Sequence, residues 1–126
     1  MKLILPLHVQ VSKKKKFILN LNNYRNAHHF TLNKAKTIYH QLVKEQLIGQ
    51  ERFHWLQLHY KIYRKDKRKY DGNNVVCIVD KFLMDALVEY KVISDDDINH
   101  VGYYTWEHCG VDKDNPRVEV EEKGGR

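Results

Sequence analysis

Residues 53–87, FHWLQLHYKIYRKDKRKYDGNNVVCIVDKFLMDAL, decide the fold class of this chain. The first part, Phe53–Tyr63, alternates apolar with polar positions and is rich in aromatic and branched residues, which predicts a long strand. The basic segment Arg64–Lys69 and the turn residues Asp71–Asn74 follow it. Apolar residues then recur every three or four positions to about Tyr90, which predicts a helix capped by the turn residues.

The chain before this unit predicts two strands and a loop. Leu3–Val11 alternates apolar with mostly polar residues, and Pro6 favours an edge position because proline cannot donate to a sheet ladder. Phe17–Leu21 predicts a second short strand. The polar, turn-rich segment Asn20–Arg25 predicts a loop.

Another helix is predicted between this loop and residue 53. Apolar residues recur at helical spacing from Thr31 to Leu47. Thr31 or Asn33 can cap its start, because both side chains accept hydrogen bonds from the free N–H groups of a first turn. Gly49 stands where a helix would end.

The chain after residue 90 predicts an acidic loop and two closing strands. Ser94–Asp97 is the loop, and the strands are Val101–Trp106 and Arg117–Glu121, joined by the loop His108–Pro116. The order of elements predicts an α+β fold, in which residues 1–126 form a single domain with a mixed β-sheet and two main helices.

Charge is divided sharply along the chain, whose net charge is +6. Residues 1–70 contain 16 Lys or Arg and three acids, whereas residues 71–126 contain 6 Lys or Arg and 13 acids. Such a division suits a protein that attracts a polyanion with one part and holds cations with another. The alternative is a solvated basic face without a partner. No apolar stretch approaches the ~20 residues of a spanning helix, and the two cysteines form no CxxC pair, so a cytoplasmic protein is expected.

The acidic residues predict a magnesium site. Cleavage of a phosphodiester needs an activated water and neutralised phosphoryl oxygens, and magnesium supplies both from one or two carboxylates, waters and phosphate. Asp71 with Asp95 or Asp96 could provide the carboxylates if the loops fold back along the helix, and Lys81 could reach a phosphate oxygen. The alternative is an Asp71 helix cap and a solvated acidic loop.

The segment Lys65–Asp97 resembles the signature of RusA-type Holliday-junction resolvases. The resemblance consists of a basic run, an Asp- and Asn-containing turn, an apolar helix with Lys and Asp-Ala-Leu, and a short loop with Asp-Asp. Asn22–Arg25 is similar to the loop before the first helix of that family, and the likeness extends over residues 18–122. It implies a homodimeric endodeoxyribonuclease that uses Mg²⁺, or Mn²⁺, to make paired nicks in four-way DNA during recombination and repair.

The resemblance assigns roles position by position. It implies catalytic roles for Asp71, Asn73, Lys81 and Asp96. It implies metal binding by Asp71, Asn73, Asp95 and Asp96, with Asn74 matching the motif asparagine. It requires a wide basic DNA-binding surface, for which the candidates are Lys13, Lys14, Lys15, Lys16, Arg25, Arg64, Lys65, Lys67, Arg68 and Lys69.

Two departures from the family pattern leave alternatives open. Asn73 stands where a second aspartate is usual, which removes one negative charge and raises the alternative of a non-catalytic branched-DNA-binding protein. About four residues are added between Asn74 and Lys81, which makes Asp80 a possible substitute ligand. A third alternative is a basic module that binds protein or RNA. No membrane or small-molecule cofactor is expected.

Overall fold

The alternating segment after Phe53 forms the central strand of a four-stranded sheet in a computed structural model that describes residues 1–126. In chain order the elements are β1 (Lys2–Leu5), β2 (His8–Gln10), β3 (Lys16–Ile18), α1 (Leu21–Asn26), α2 (His29–Leu47), β4 (Leu56–Arg64), α3 (Gly72–Glu89), β5 (Thr105–Val111) and β6 (Arg117–Gly125). The main sheet has the order β1-β6-β4-β5, and β2 with β3 forms a separate hairpin.

The main sheet is mixed, as predicted for an α+β domain. Strand β4 pairs with β6 in the antiparallel direction and with β5 in the parallel direction, and β1 is antiparallel to β6. A parallel pair needs a long crossover connection, which α3 and the segment after it supply. No helix is long and apolar enough to cross a membrane.

The alternation in β4 decides which face of the sheet is buried. Leu56, Leu58, Tyr60 and Ile62 are at most 1% exposed, whereas the residues between them are half-buried. The apolar stripes of α2 and α3 join them in one core of 28 buried residues, so the helices cover this face of the sheet. Burial of that apolar surface is the main stabilising contribution to the fold.

Two predictions for the first thirty residues are wrong. The alternating segment Leu3–Val11 is divided into β1 and β2, because Pro6 has no N–H for a continuous ladder. The predicted loop Asn20–Arg25 is largely helix α1, which begins where the Asn20 side chain accepts a hydrogen bond from the Asn23 N–H at 2.8 Å. None of its residues is buried, so no apolar stripe marked it as a helix.

Helix α2 begins two residues before the predicted start. The His28 ring Nδ1 accepts a hydrogen bond from the Phe30 N–H and takes the capping position. Thr31 and Asn33, the predicted caps, lie inside the helix. The predicted stop is confirmed, because the helix ends at Leu47 and Gly49 follows with a φ of +84°.

Strand β5 lies later in the chain than predicted. It begins at Thr105 and continues to Val111, so the predicted loop His108–Pro116 is reduced to its second half. Of the predicted strand Val101–Trp106, Val101 makes only an isolated bridge to Leu56. Pairing with β4 decides this register, and the local sequence does not contain that information.

The segment between α3 and β5 runs back along α3. The carbonyl of His100 accepts a hydrogen bond from the Leu56 N–H at 2.9 Å, near the start of β4. Trp106 then packs against Gly72, where an added Cβ would lie 2.0 Å from the indole ring. The chain therefore returns from the end of α3 to its beginning, and the acidic loop Ser94–Asp97 lies on this return path.

Candidate functional site

A cleft of about 580 Å³ opens at the beginning of α3, and we call it the basic cleft. Its walls come from the β2–β3 hairpin, α1, the segment after β4, the first turn of α3 and the β5–β6 loop. Its basic lining residues are His8, Lys16, Arg64, Lys65, Arg68 and Lys113. A concave surface with this charge suits a phosphate backbone.

The side chains of the basic cleft are close enough to affect one another. Burial lowers the pKa of His8, and the positive charges of Lys16 and Lys65 lower it further. The Arg64 guanidinium lies 4.1 Å from the centre of the Tyr70 ring, which holds the cation against the wall of the cleft. Positive potential is therefore concentrated at this end of the molecule.

Four of the predicted DNA-binding residues, Lys16, Arg64, Lys65 and Arg68, line the basic cleft. The others are exposed and lie outside its lining, namely Lys13, Lys14, Lys15, Arg25, Lys67 and Lys69. Lys113 was not predicted. It comes from the acidic half of the chain, and only the β5–β6 loop brings it to this surface.

Asp71 is an exposed carboxylate inside this basic surface. It caps α3, and one oxygen accepts a hydrogen bond from the Asn74 N–H at 3.3 Å. Asn74 also lines the basic cleft. Asp71 therefore caps α3, which was the alternative to metal binding, and it also lies among the basic side chains of the cleft.

Asn73 does not face the basic cleft. Its Oδ1 accepts a hydrogen bond from the Trp106 indole N–H at 2.8 Å, and Trp106 lies on β5. The side-chain oxygen that was predicted as a metal ligand therefore attaches the first turn of α3 to the sheet.

Lys81 lies on the side of α3 that faces α1. Its Nζ is 5.7 Å from the centre of the Tyr24 ring, and Lys36 approaches the same ring at 5.9 Å. Asp85, four residues further along α3, forms its ion pair with Lys36 at 3.6 Å and not with Lys81. The Lys81 ammonium is exposed and belongs to no ion pair, so it is free to meet an anion.

Asp80 occupies a second, more enclosed position on α3. One carboxylate oxygen accepts a hydrogen bond from the Tyr60 hydroxyl at 2.5 Å. Burial raises the pKa of Asp80 to about 6, against the lowering effect of this hydrogen bond, and the charge of Asp96 raises it further. The charge of Asp80 in turn raises the pKa of Tyr60, Tyr39 and Tyr104, after burial as the main cause.

We call this second region the carboxylate site; it consists of Asp80, Asp96, Tyr39, Tyr60 and Tyr104. Asp96 is exposed on the returning loop, and its N–H donates to the Asp95 side chain at 2.8 Å. The negative charge of Asp96 contributes, after burial, to the raised pKa of Asp80.

Of the two carboxylates that the resemblance pairs, Asp71 caps the start of α3, whereas Asp96 lies on the loop after its end and its charge affects Asp80 in the middle of the helix. Nine residues separate Asp71 from Asp80, a rise of about 13 Å along a helix. No group of three or more His, Cys, Asp or Glu side chains converges to hold a metal ion. Exposed or half-buried carboxylates without cation partners fit a hard ion such as Mg²⁺, which needs only one or two of them with waters and phosphate.

Prediction from the sequence missed the three tyrosines of the carboxylate site. Tyr39 and Tyr60 occupy core positions of a helix stripe and a strand face, so their periodicity marked them only as buried residues. A hydroxyl at a core position was the available signal, because a buried polar group needs a partner. Tyr104 precedes β5 and packs edge-on against the Tyr60 ring, with 5.6 Å between the ring centres.

His59 lies on the face of the sheet opposite the helices. Its two ring nitrogens contact Thr105 and Glu107, each at 2.6 Å.

Comparison with protein-family models and with curated proteins gives no match for this chain. Its function is therefore proposed from its own residues and their geometry.

Proposed function

We propose that this protein is a magnesium-dependent endonuclease that cuts branched DNA, with the four-way junction as its substrate. The observation that carries the proposal is the basic cleft, in which Asp71 stands among six basic side chains at the beginning of α3. Cations that bind phosphate and a carboxylate that binds metal are the two requirements of metal-assisted phosphodiester cleavage. The resemblance to RusA-type resolvases supports this choice of substrate.

The basic cleft would hold the DNA backbone next to α3. Arg64, Lys65 and Arg68 extend from the end of β4, and Lys16 and Lys113 approach from the hairpin and the β5–β6 loop. Five permanent cations that contact phosphates would make binding strongly dependent on salt. Lys13–Lys15, at the turn of the β2–β3 hairpin, would extend this surface along a second DNA arm.

The bound metal would lower the pKa of its water and neutralise the phosphoryl oxygens. The candidates to hold it are Asp71, in the basic cleft, and the acidic-loop residues Asp95 and Asp96; Asn73 could contribute only if its oxygen also accepted from the Trp106 N–H. Lys81, whose ammonium is exposed and unpaired, would neutralise charge on the cleaved phosphate. A homodimer belongs to the proposal, because paired nicks in a junction need two sites.

Cleavage of a synthetic four-way junction in the presence of millimolar Mg²⁺ tests this function. We expect paired nicks, no cleavage of linear duplex, and a loss of at least about 100-fold in rate for Asp96→Asn, the size of effect typical when a group that stabilises charge is removed. Asp114→Asn is the matched control, since Asp114 is an exposed aspartate that belongs to neither region. Equal activity of the wild-type and Asp96→Asn proteins would contradict the proposal.

A second candidate is a branched-DNA-binding protein that does not cut. The bond between Asn73 and Trp106 favours it, because this amide performs a structural task where the family pattern has a charge. It predicts tight junction binding with no cleavage in Mg²⁺ or Mn²⁺. A binding assay and a cleavage assay on the same junction separate the two candidates.

A further inference from the structure

The basic cleft has lining residues that a phosphate backbone would not use. Besides its cations it is lined by apolar side chains, among them Leu7 and Ile18, and by the side chains of Asn20, Asn22 and Asn74. Ile18 is 50% exposed although it is a branched apolar residue. Phosphate contacts are made by cations and by N–H and hydroxyl groups, so apolar lining adds nothing to them. The cleft therefore suits a ligand that has an apolar part with a hydrogen-bonding edge in addition to its phosphate.

Two of the amides in the cleft are free to bind a ligand. No hydrogen bond within the protein uses the side chain of Asn22 or Asn74, because Asn74 is engaged only through its backbone. The Asn20 Oδ1 differs, since it accepts the hydrogen bond from the Asn23 N–H that caps α1. A side-chain amide presents a donor beside an acceptor, which matches the edge of a nucleic-acid base and best that of adenine, with its N6 donor and N7 acceptor.

Arg64 provides a second, independent observation in the same cleft. Its Nε is buried and has no hydrogen-bond partner. The guanidinium lies against the Tyr70 ring, and the Tyr70 hydroxyl is 2.8 Å from the His108 Nδ1, so both side chains are held in place. A buried N–H without an acceptor is rare in proteins, and it marks Arg64 as a donor for a ligand of the cleft.

We propose that the basic cleft binds one unpaired nucleotide at the branch of the DNA, with its base against the apolar and amide lining and its phosphate on the cations. Asn22 and Asn74 would bond the edge of the base, and the Arg64 Nε would donate to the phosphate. The choice of branched DNA as the source of this nucleotide rests on the proposed function. Binding itself requires neither a metal ion nor cleavage.

The size of the cleft favours an unpaired nucleotide over a base pair. Its volume of about 580 Å³ lies within the range of about 300–1,000 Å³ that is usual for pockets that enclose a small ligand. A base inside a duplex cannot enter such a pocket, and proteins that enclose a base take it out of the stack. This costs least where the base is already unpaired, as it can be at a branch point.

Fluorescence anisotropy with two short probes tests the inference on the full chain in EDTA. One probe is a labelled oligodeoxyadenylate, and the other is an abasic oligomer of the same length, so both carry the same phosphates. We expect the wild type to bind the adenine oligomer at least about fivefold more tightly, which is the lower end of the usual contribution of one base.

Asn22→Ala with Asn74→Ala should reduce the ratio of the two affinities to below about twofold, because it removes the groups that bond the base edge. Asn33→Ala with Asn99→Ala is the matched control, since these exposed asparagines lie outside the cleft, and it should keep the wild-type ratio. Circular dichroism checks that both double variants fold. Asn22→Ala alone changes an exposed residue and should lower the ratio by a smaller factor.

Equal binding of the two oligomers by the wild type would overturn the inference. A wild-type ratio in the folded cleft variant, or an equal loss in the control, would overturn it as well. Cleavage of junctions by a protein that does not distinguish the two oligomers would contradict only this inference. A preference for the adenine oligomer that depends on Asn22 and Asn74, without cleavage of any junction, would support it and contradict only the proposed function.

Discussion

The basic cleft and the carboxylate site both include residues of α3, but their charges differ. The first is lined mainly by positive side chains, and the second contains two carboxylates and no cation. In the basic cleft two carboxylates, Asp66 and Asp71, lie among six basic side chains. In the carboxylate site Asp80 is enclosed by tyrosines and lies near another carboxylate, and its pKa is raised. One region is arranged to attract an anion, and the other lacks a cation.

The largest expected effect concerns the carboxylate site without metal. Because the pKa of Asp80 rises from 3.8 to about 6 on folding, the native state binds more protons between these values, and stability falls as pH rises through this window. Asp80→Asn removes this penalty and should raise the free energy of unfolding at pH 7 by up to about 3 kcal/mol, with little change near pH 3.

Urea unfolding in EDTA at several pH values measures this effect, with Asp114→Asn as the control. If the free energy of unfolding depends on pH in the same way in the wild-type and Asp80→Asn proteins, the pKa of Asp80 is not raised by folding.

The next largest effect concerns the basic cleft. Lys65→Gln with Arg68→Gln removes two cations from its lining and should weaken junction binding about 10–100-fold at moderate salt, because fewer counterions are released. The slope of log K against log salt should decrease by about 2. Lys44→Gln with Lys123→Gln is the control, since these exposed lysines lie outside the cleft.

Filter binding or fluorescence anisotropy over a range of salt measures both quantities. Similar losses in the control pair would show that total charge, and not the cleft, drives binding.

The smallest effect concerns the hydrogen bond that attaches the first turn of α3 to β5. Asn73→Ala removes the acceptor of the Trp106 indole N–H and should lower the free energy of unfolding by about 1 kcal/mol. Asn73→Asp keeps the acceptor and serves as the matched variant. Chemical denaturation followed by tryptophan fluorescence tests this, and equal stability of the wild-type and Ala proteins would show that the bond contributes nothing.

Periodicity predicted the parts of the fold that depend on burial. The alternation in Phe53–Tyr63 and the helical stripe that follows were confirmed as β4 and α3, because side chains that must face one core repeat with the period of their element. The prediction failed for α1, whose residues are all at the surface, and for the register of β5, which depends on its pairing with β4.

The amino-acid sequence by itself determined the α+β class, the separation of charge and the presence of Asp71, Lys81 and the acidic loop. Only the tertiary structure decided which of these meet. The packing of Trp106 against Gly72 returns the chain from the end of α3 to its beginning, and loops from both halves of the chain meet to form the basic cleft. Charge type and periodicity are local properties of a chain, whereas the distance between two side chains depends on how every intervening element packs.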